Sequence, residues 1–215
     1  MGFTTGLKRI QEASTQSSNG DFPNKLKIAP DSTVTIRLIN EFDENSADYD
    51  PDRGLVGLID LHTHPDQSQW FKRAECTMKD TGRCYGCEIG LKRKRRLFMN
   101  LLADDADGNQ TVFYYDVSVW KSPIYSMLLE VFTEDGSVSN RTFKIKRKGS
   151  GIQDTEYIVR PGAPDSTPFD WEGINPYDLS ELLPTLSYEE QRELFAVTAP
   201  TTKEAEEASD SSAWI

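Results

Sequence analysis

The chain has 215 residues, 37% of them hydrophobic and 10% aromatic, with three cysteines and a net charge of −11. That content suits one domain of roughly 130 to 170 residues plus tails, and no apolar run approaches a membrane span, so a chain without a membrane partner is expected. An odd cysteine count and the lack of an apolar signal core near Met1 argue against a secreted disulfide framework and for a reducing compartment.

Residues 1–24 are polar, with one basic pair at Lys8-Arg9, and are expected to form a flexible arm. Thr33 to Ile39 alternates, with Val34, Ile36 and Leu38 on one face, which marks a half-buried strand. Turn chemistry at Asp50 to Gly54 leads into a second strand, Leu55 to His62. Residues 62–91 then hold every cysteine and read as a metal-binding insertion. Lys92 to Arg96 feeds a strand at Leu97 to Leu102, Asp105 to Asn109 is a turn, and Thr111 to Trp120 is another β-rich run.

Pro123 opens an amphipathic helix reaching Phe132, because proline suits the first helical turn, and Asp135-Gly136 closes it. Thr142 to Lys148 and Glu156 to Arg160 form a last pair of strands around Gly149-Ser150-Gly151. This order predicts a mainly β chain: an OB fold, a five-stranded Greek-key barrel over residues 25–163, with the metal insertion after its first strand. Residues 164–197 are expected to be an extension with short helices around Leu179 to Leu183 and Tyr188 to Phe195. Residues 198–215 cannot bury enough apolar area to offset their ordering entropy, and read as a disordered acidic tail.

His64, Cys76, Cys84 and Cys87 form the pattern H-x11-C-x7-C-x2-C. A tetrahedral Zn²⁺ wants four N or S ligands, and a Cys-x-x-Cys knuckle supplies two from one turn. Gly82 and Gly86 lend that turn backbone freedom. Cys₃His leaves no open position for water, so one structural Zn²⁺ is predicted, with His62 as the alternative imidazole. Unrelated buried thiols would be scattered, and a redox Cys-x-x-Cys would open a helix in a βαβ unit that is missing here.

Charge is unevenly spread. Pro164 to Ile215 carries twelve acids and two bases, whereas Lys72 to Arg160 carries sixteen bases and twelve acids. A basic body with an acidic tail suggests nucleic-acid binding, while a solvated basic face is the plainer reading. Single-strand binding needs cations for phosphates and aromatic faces for unstacked bases. Arg37, Arg73 and Arg83 could supply the cations, with Lys92, Arg93, Lys94, Arg95 and Arg96 and, from the later hairpin, Lys144, Lys146 and Lys148. Tyr85, Phe98 and Trp120 are candidate stacking faces, together with Phe113 or Tyr115. Neighbours in Phe113-Tyr114-Tyr115 must face opposite sides of a sheet.

These residues resemble a known family. Phe22 to Lys27 followed by Val34 to Leu38, then His64, Trp70 and the three cysteines, is similar in order and near-spacing to the zinc-containing, helix-destabilising single-stranded DNA-binding proteins of T-even-type phages. Lys92-Arg93-Lys94 leading to Phe98 to Leu102, Val112 to Tyr115, and Phe143 to Lys146 resemble its later segments, with Tyr115 at the position of a base-contacting tyrosine. The interval from Cys76 to Cys84 is two residues shorter than in that family. The resemblance covers about residues 20 to 160. It implies an OB fold with structural zinc, an arm that promotes self-association along DNA, and an acidic tail that engages replication or recombination proteins. It also implies a non-enzymatic role in phage replication, recombination and repair, in the host cytoplasm.

Other readings carry different expectations. A zinc-ribbon-like adaptor for RNA or protein would use the same knuckle. His62-Thr63-His64-Pro65 also resembles the metal strands of amidohydrolases and JAMM-type isopeptidases. A hydrolase needs further ligands and a base, yet the chain has no third histidine, and Lys72 and Glu75 stand where the isopeptidase pattern wants serine and aspartate.

Overall fold

The computed structural model describes residues 23–69, 71–151, 154–182 and 185–196. The expected tail, Trp70 and nearly all of the expected arm lie outside these described residues.

Within the described residues seven strands form one antiparallel sheet: β1 (Thr33–Leu38), β2 (Gly57–Thr63), β3 (Arg73–Glu75), β4 (Lys94–Asp104), β5 (Gln110–Ser118), β6 (Thr142–Lys148) and β7 (Glu156–Pro161). The path runs β3-β2-β4-β1-β6-β7, and β5 lies along the other side of β4. The first half of β4 pairs with β2, from Leu61 opposite Lys94 to Gly57 opposite Phe98. Its second half pairs with β1, from Leu38 opposite Leu101 to Ile36 opposite Ala103. The expected order of strand, insertion, two strands, helix and two strands is present. The sheet is open, however: among the described residues β5 and β7 do not pair, and β2 with the short β3 extends one edge beyond five strands.

β4 is apolar almost without interruption because both of its faces are covered. Leu97, Met99, Leu101 and Ala103 face the main core with Ile36, Leu38, Phe143 and Ile145. Phe98 faces the other way, packed with Leu61, Ile59, Leu179 and Leu182.

Among the described residues four α-helices accompany the sheet: α1 (Met78–Thr81), α2 (Tyr85–Glu88), α3 (Pro123–Asp135) and α4 (Tyr188–Leu194). α3 starts as its sequence dictates. The Ser122 side chain accepts from the Tyr125 N–H, Pro123 sits in the first turn, and Gly136 closes the helix at φ 72°. Ile124, Leu128 and Val131 form its buried stripe. No helix among the described residues is long and apolar enough to cross a membrane.

The C-terminal extension is part of the folded body. Asn100, fully buried on β4, pairs with the Tyr177 backbone in both directions: its Nδ2 donates to the Tyr177 carbonyl at 2.9 Å, and its Oδ1 accepts from the Tyr177 N–H at 3.1 Å. Leu179 and Leu182 follow onto Phe98 as a turn, not the helix expected there. α4 then reaches the cysteine insertion, its capping box formed by Ser187 and Glu190.

Candidate metal centre and basic face

The structure brings together His62, Cys76, Cys84 and Cys87, whose ligand atoms all lie within 4.8 Å of one another. Cys76 Sγ and Cys87 Sγ are 3.5 Å apart, and Cys87 Sγ is 3.4 Å from His62 Nε2. Four ligands around one Zn²⁺ at Zn–S of about 2.3 Å stand about 3.8 Å from each other, so the cluster has the right size. The sulfur separations are far beyond a disulfide bond, and all three cysteines are free.

Each ligand comes from a separate local device. β2 carries His62 opposite Ala74 of β3, and the chain turns out of β3 directly into Cys76. Gly82 ends α1 in the left-handed region at φ 71°, which brings Cys84 round to cap α2, and α2 carries Cys87. Gly86 serves by close approach: a Cβ there would lie 2.6 Å from His62 Cδ2. The second glycine of the knuckle is therefore needed for the imidazole to enter.

The electrostatics suit a cation. Burial and then the neighbouring Cys76 and Cys84 push the Cys87 thiol up to about 12. Burial would also raise Cys84, but the backbone amides of Cys87 and Thr77 outweigh it and lower that thiol. Burial lowers the His62 pKa, keeping the ring neutral and able to offer a lone pair. Zn²⁺ bound here would hold the three thiols as thiolates and close the site.

The predicted ligand His64 is corrected to His62. Both histidines fall on the same side of an extended chain, so alternation could not separate them. His64 lies past the end of β2, where its Nδ1 accepts from the Asp66 N–H at 3.1 Å and its ring stands 6.4 Å from that of Phe195.

α4 closes the cluster from outside. Gln191 is fully buried; its Oε1 accepts from the Cys84 thiol at 3.3 Å, and its Nε2 donates to Thr77 Oγ1 and the Leu186 carbonyl, each at 3.1 Å. Tyr188 meets Tyr85 edge-on at 5.6 Å, Arg83 lies 4.3 Å over the Tyr188 ring, and Leu186, Leu194 and Phe195 pack on Ala74. The sequence marks α4 as a helix but not its place on the candidate metal site, which depends on contacts 107 residues apart.

The candidate DNA-binding residues separate into distinct groups. Phe98 and Tyr115 are buried in the core, so neither offers a base-stacking face, whereas Phe113 is half-buried against the main core and lines a surface cavity with Lys25 and Lys27. Tyr114 takes the outer face instead, with Lys25 Nζ 5.8 Å from its ring centre. Arg37 is also corrected: it is buried, its guanidinium bound bidentately by Asp165 at 2.6 and 3.1 Å and stacked 4.3 Å over Phe169. Arg95 is exposed but paired with Asp60 at 2.7 and 2.8 Å.

Lys92 and Arg93 are exposed, and Lys94 donates to Thr63 Oγ1 at 3.1 Å. Lys144 and Lys146 are exposed on β6, whereas Lys148 stands 3.5 Å from Glu156. Arg83 and Tyr85 lie around α4, and Trp120 projects after β5 at 78% exposure.

Arg73 and Arg96 meet at a carboxylate that sequence reasoning did not single out. Asp116, its side chain fully buried, binds Arg73 Nη1 at 2.9 Å, Arg96 Nε and Lys25 Nζ. Arg96 Nη2 also donates to the Asp116 backbone carbonyl at 2.8 Å. Burial would raise this carboxyl, but Arg73, Arg96 and Lys25 together hold it at about 2.

Compared with family models, curated proteins and solved structures, the chain matches none.

Proposed function

We propose that this chain is a sequence-tolerant single-stranded DNA-binding protein, not an enzyme, whose zinc is structural. The observation that carries the reading is the convergence of Lys25, Arg73 and Arg96 beside Tyr114 on the outer face of β4 and β5, next to the metal insertion. Cations with an adjacent aromatic face are what a single strand requires. Exposed Lys92, Arg93 and Lys94 continue the positive surface towards the metal centre.

An open OB-type barrel is consistent with the strand order, because β1 pairs with both β4 and β6 and α3 lies between β5 and β6. The resemblance to T-even-type phage helix-destabilising proteins supports the same reading. It extends to self-association through the arm, to replication or recombination proteins bound by the acidic tail, and to a phage protein acting in the host cytoplasm.

The test is a fluorescence titration with single-stranded DNA, duplex DNA and RNA of equal length. The chain's four tryptophans and eight tyrosines supply the signal. Preference for the single DNA strand supports the proposal. Preference for RNA points to the adaptor reading, and absence of nucleic-acid binding removes the proposal.

A further inference from the structure

We propose that Asp116 is a positioning residue that sets Lys25, Arg73 and Arg96 into one cradle for an oligonucleotide phosphate. The inference rests on the single-strand reading and adds a residue whose own charge is the wrong sign for that ligand.

The three cations come from three separate parts of the chain: Lys25 precedes β1, Arg73 opens β3 of the metal insertion, and Arg96 lies in β4. Backbone pairing brings Lys25 beside β5 and Arg73 beside β2, but three like charges need something to hold their side-chain ends together. The Asp116 carboxylate does so from beneath, with its own side chain at 0% exposure while those of Lys25, Arg73 and Arg96 keep 33%, 19% and 27%. Two carboxylate oxygens cannot use every donor of two guanidinium groups and an ammonium. Three positive charges against one negative leave the cluster cationic. Arg96 is held most firmly, since it grips both the carboxylate and the carbonyl of Asp116.

A buried acid under partly exposed cations removes the entropy cost of assembling them when a phosphate arrives. Two residues before it on the same strand face, Tyr114 places an aromatic ring beside Lys25.

Charge alone and positioning make opposite forecasts for Asp116→Asn. Removing an acid from a polyanion-binding surface should tighten binding if net charge is what matters. If Asp116 positions the cations, oligo-dT binding should weaken roughly tenfold, and the slope of log affinity against log salt should flatten by about 0.7 to 1.4 as one or two phosphates are lost. Asp60→Asn is the charge-matched control, because Asp60 pairs with exposed Arg95 and Lys79. Arg73→Lys keeps the charge but loses the planar fork, and it decides the matter should Asp116→Asn fail to fold.

The experiment measures oligo-dT affinity across a salt series for the zinc-loaded full chain and these three variants, with zinc content and melting temperature checked alongside. Weaker binding and a flatter slope for Asp116→Asn and Arg73→Lys, with Asp60→Asn as tight as the parent or tighter, is the expected result. Unchanged or tighter binding with an unchanged slope in Asp116→Asn, or in Arg73→Lys where the first does not fold, overturns the positioning role. No binding by the parent chain overturns the single-strand reading itself and this inference with it.

Discussion

His62 Nε2 stands 3.4 Å from Cys87 Sγ, while His64, two residues further on, turns to Asp66 and Phe195. The candidate ligand set thus takes one of two histidines that stand two residues apart. His62→Ala should lose the metal and with it the folding energy that metal binding supplies to such a site. His64→Ala should keep one equivalent of zinc. Metal content by mass spectrometry under native conditions checks both.

Gly86→Ala probes the same site without touching a ligand. The added methyl would meet the His62 ring, with Cδ2 at 2.6 Å and Cγ at 2.7 Å, so the imidazole must shift. A displaced imidazole should lower zinc affinity by about 10- to 100-fold, the scale seen when the support of a ligand is lost. Competition with a chelating dye measures it.

Gln191→Ala should destabilise the chain by about 1 to 3 kcal/mol, since the buried Leu186 carbonyl would lose its donor, while Thr77 Oγ1 keeps its bond to the Arg83 carbonyl. It should also loosen α4 from the metal insertion. Denaturant unfolding reads the first effect, and hydrogen exchange over residues 185–196 reads the second.

Acid should act on Asp116 late. Its pKa in the fold, about 2, lies below the ordinary value of 3.8. The linked stability is therefore fully present above about pH 4 and is lost as pH falls towards 2. A shift of this size corresponds to about 2 kcal/mol. The difference in unfolding free energy between the parent and Asp116→Asn should shrink across that window and stay constant between about pH 5 and 7. Urea titrations at stepped pH values test this.

Much of the fold was legible because local pattern and tertiary demand agreed. Val34, Ile36 and Leu38 alternate onto the core side, and Ser122, Pro123 and Gly136 bound α3 as their chemistry requires. The cysteines, too, announced their cluster by spacing. What stayed hidden depends on partners far away in sequence. Arg37 looked like a free cation until Asp165, 128 residues on, neutralised it. Phe98 and Tyr115 looked like stacking faces because β4 and its neighbour are aromatic on both sides, and only the covering by Leu179 and Leu182 shows that Phe98 is enclosed. Asp116 carried no signal at all, since a lone acid in a strand gains meaning only when Lys25, Arg73 and Arg96 arrive around it.

The most direct test of the account is the salt dependence of oligo-dT binding by the zinc-loaded full chain. Phosphate neutralisation releases counterions, so affinity should fall steeply between roughly 50 and 200 mM salt, with a linear plot of log affinity against log salt. Affinity that stays constant over that range would contradict a cationic single-strand face.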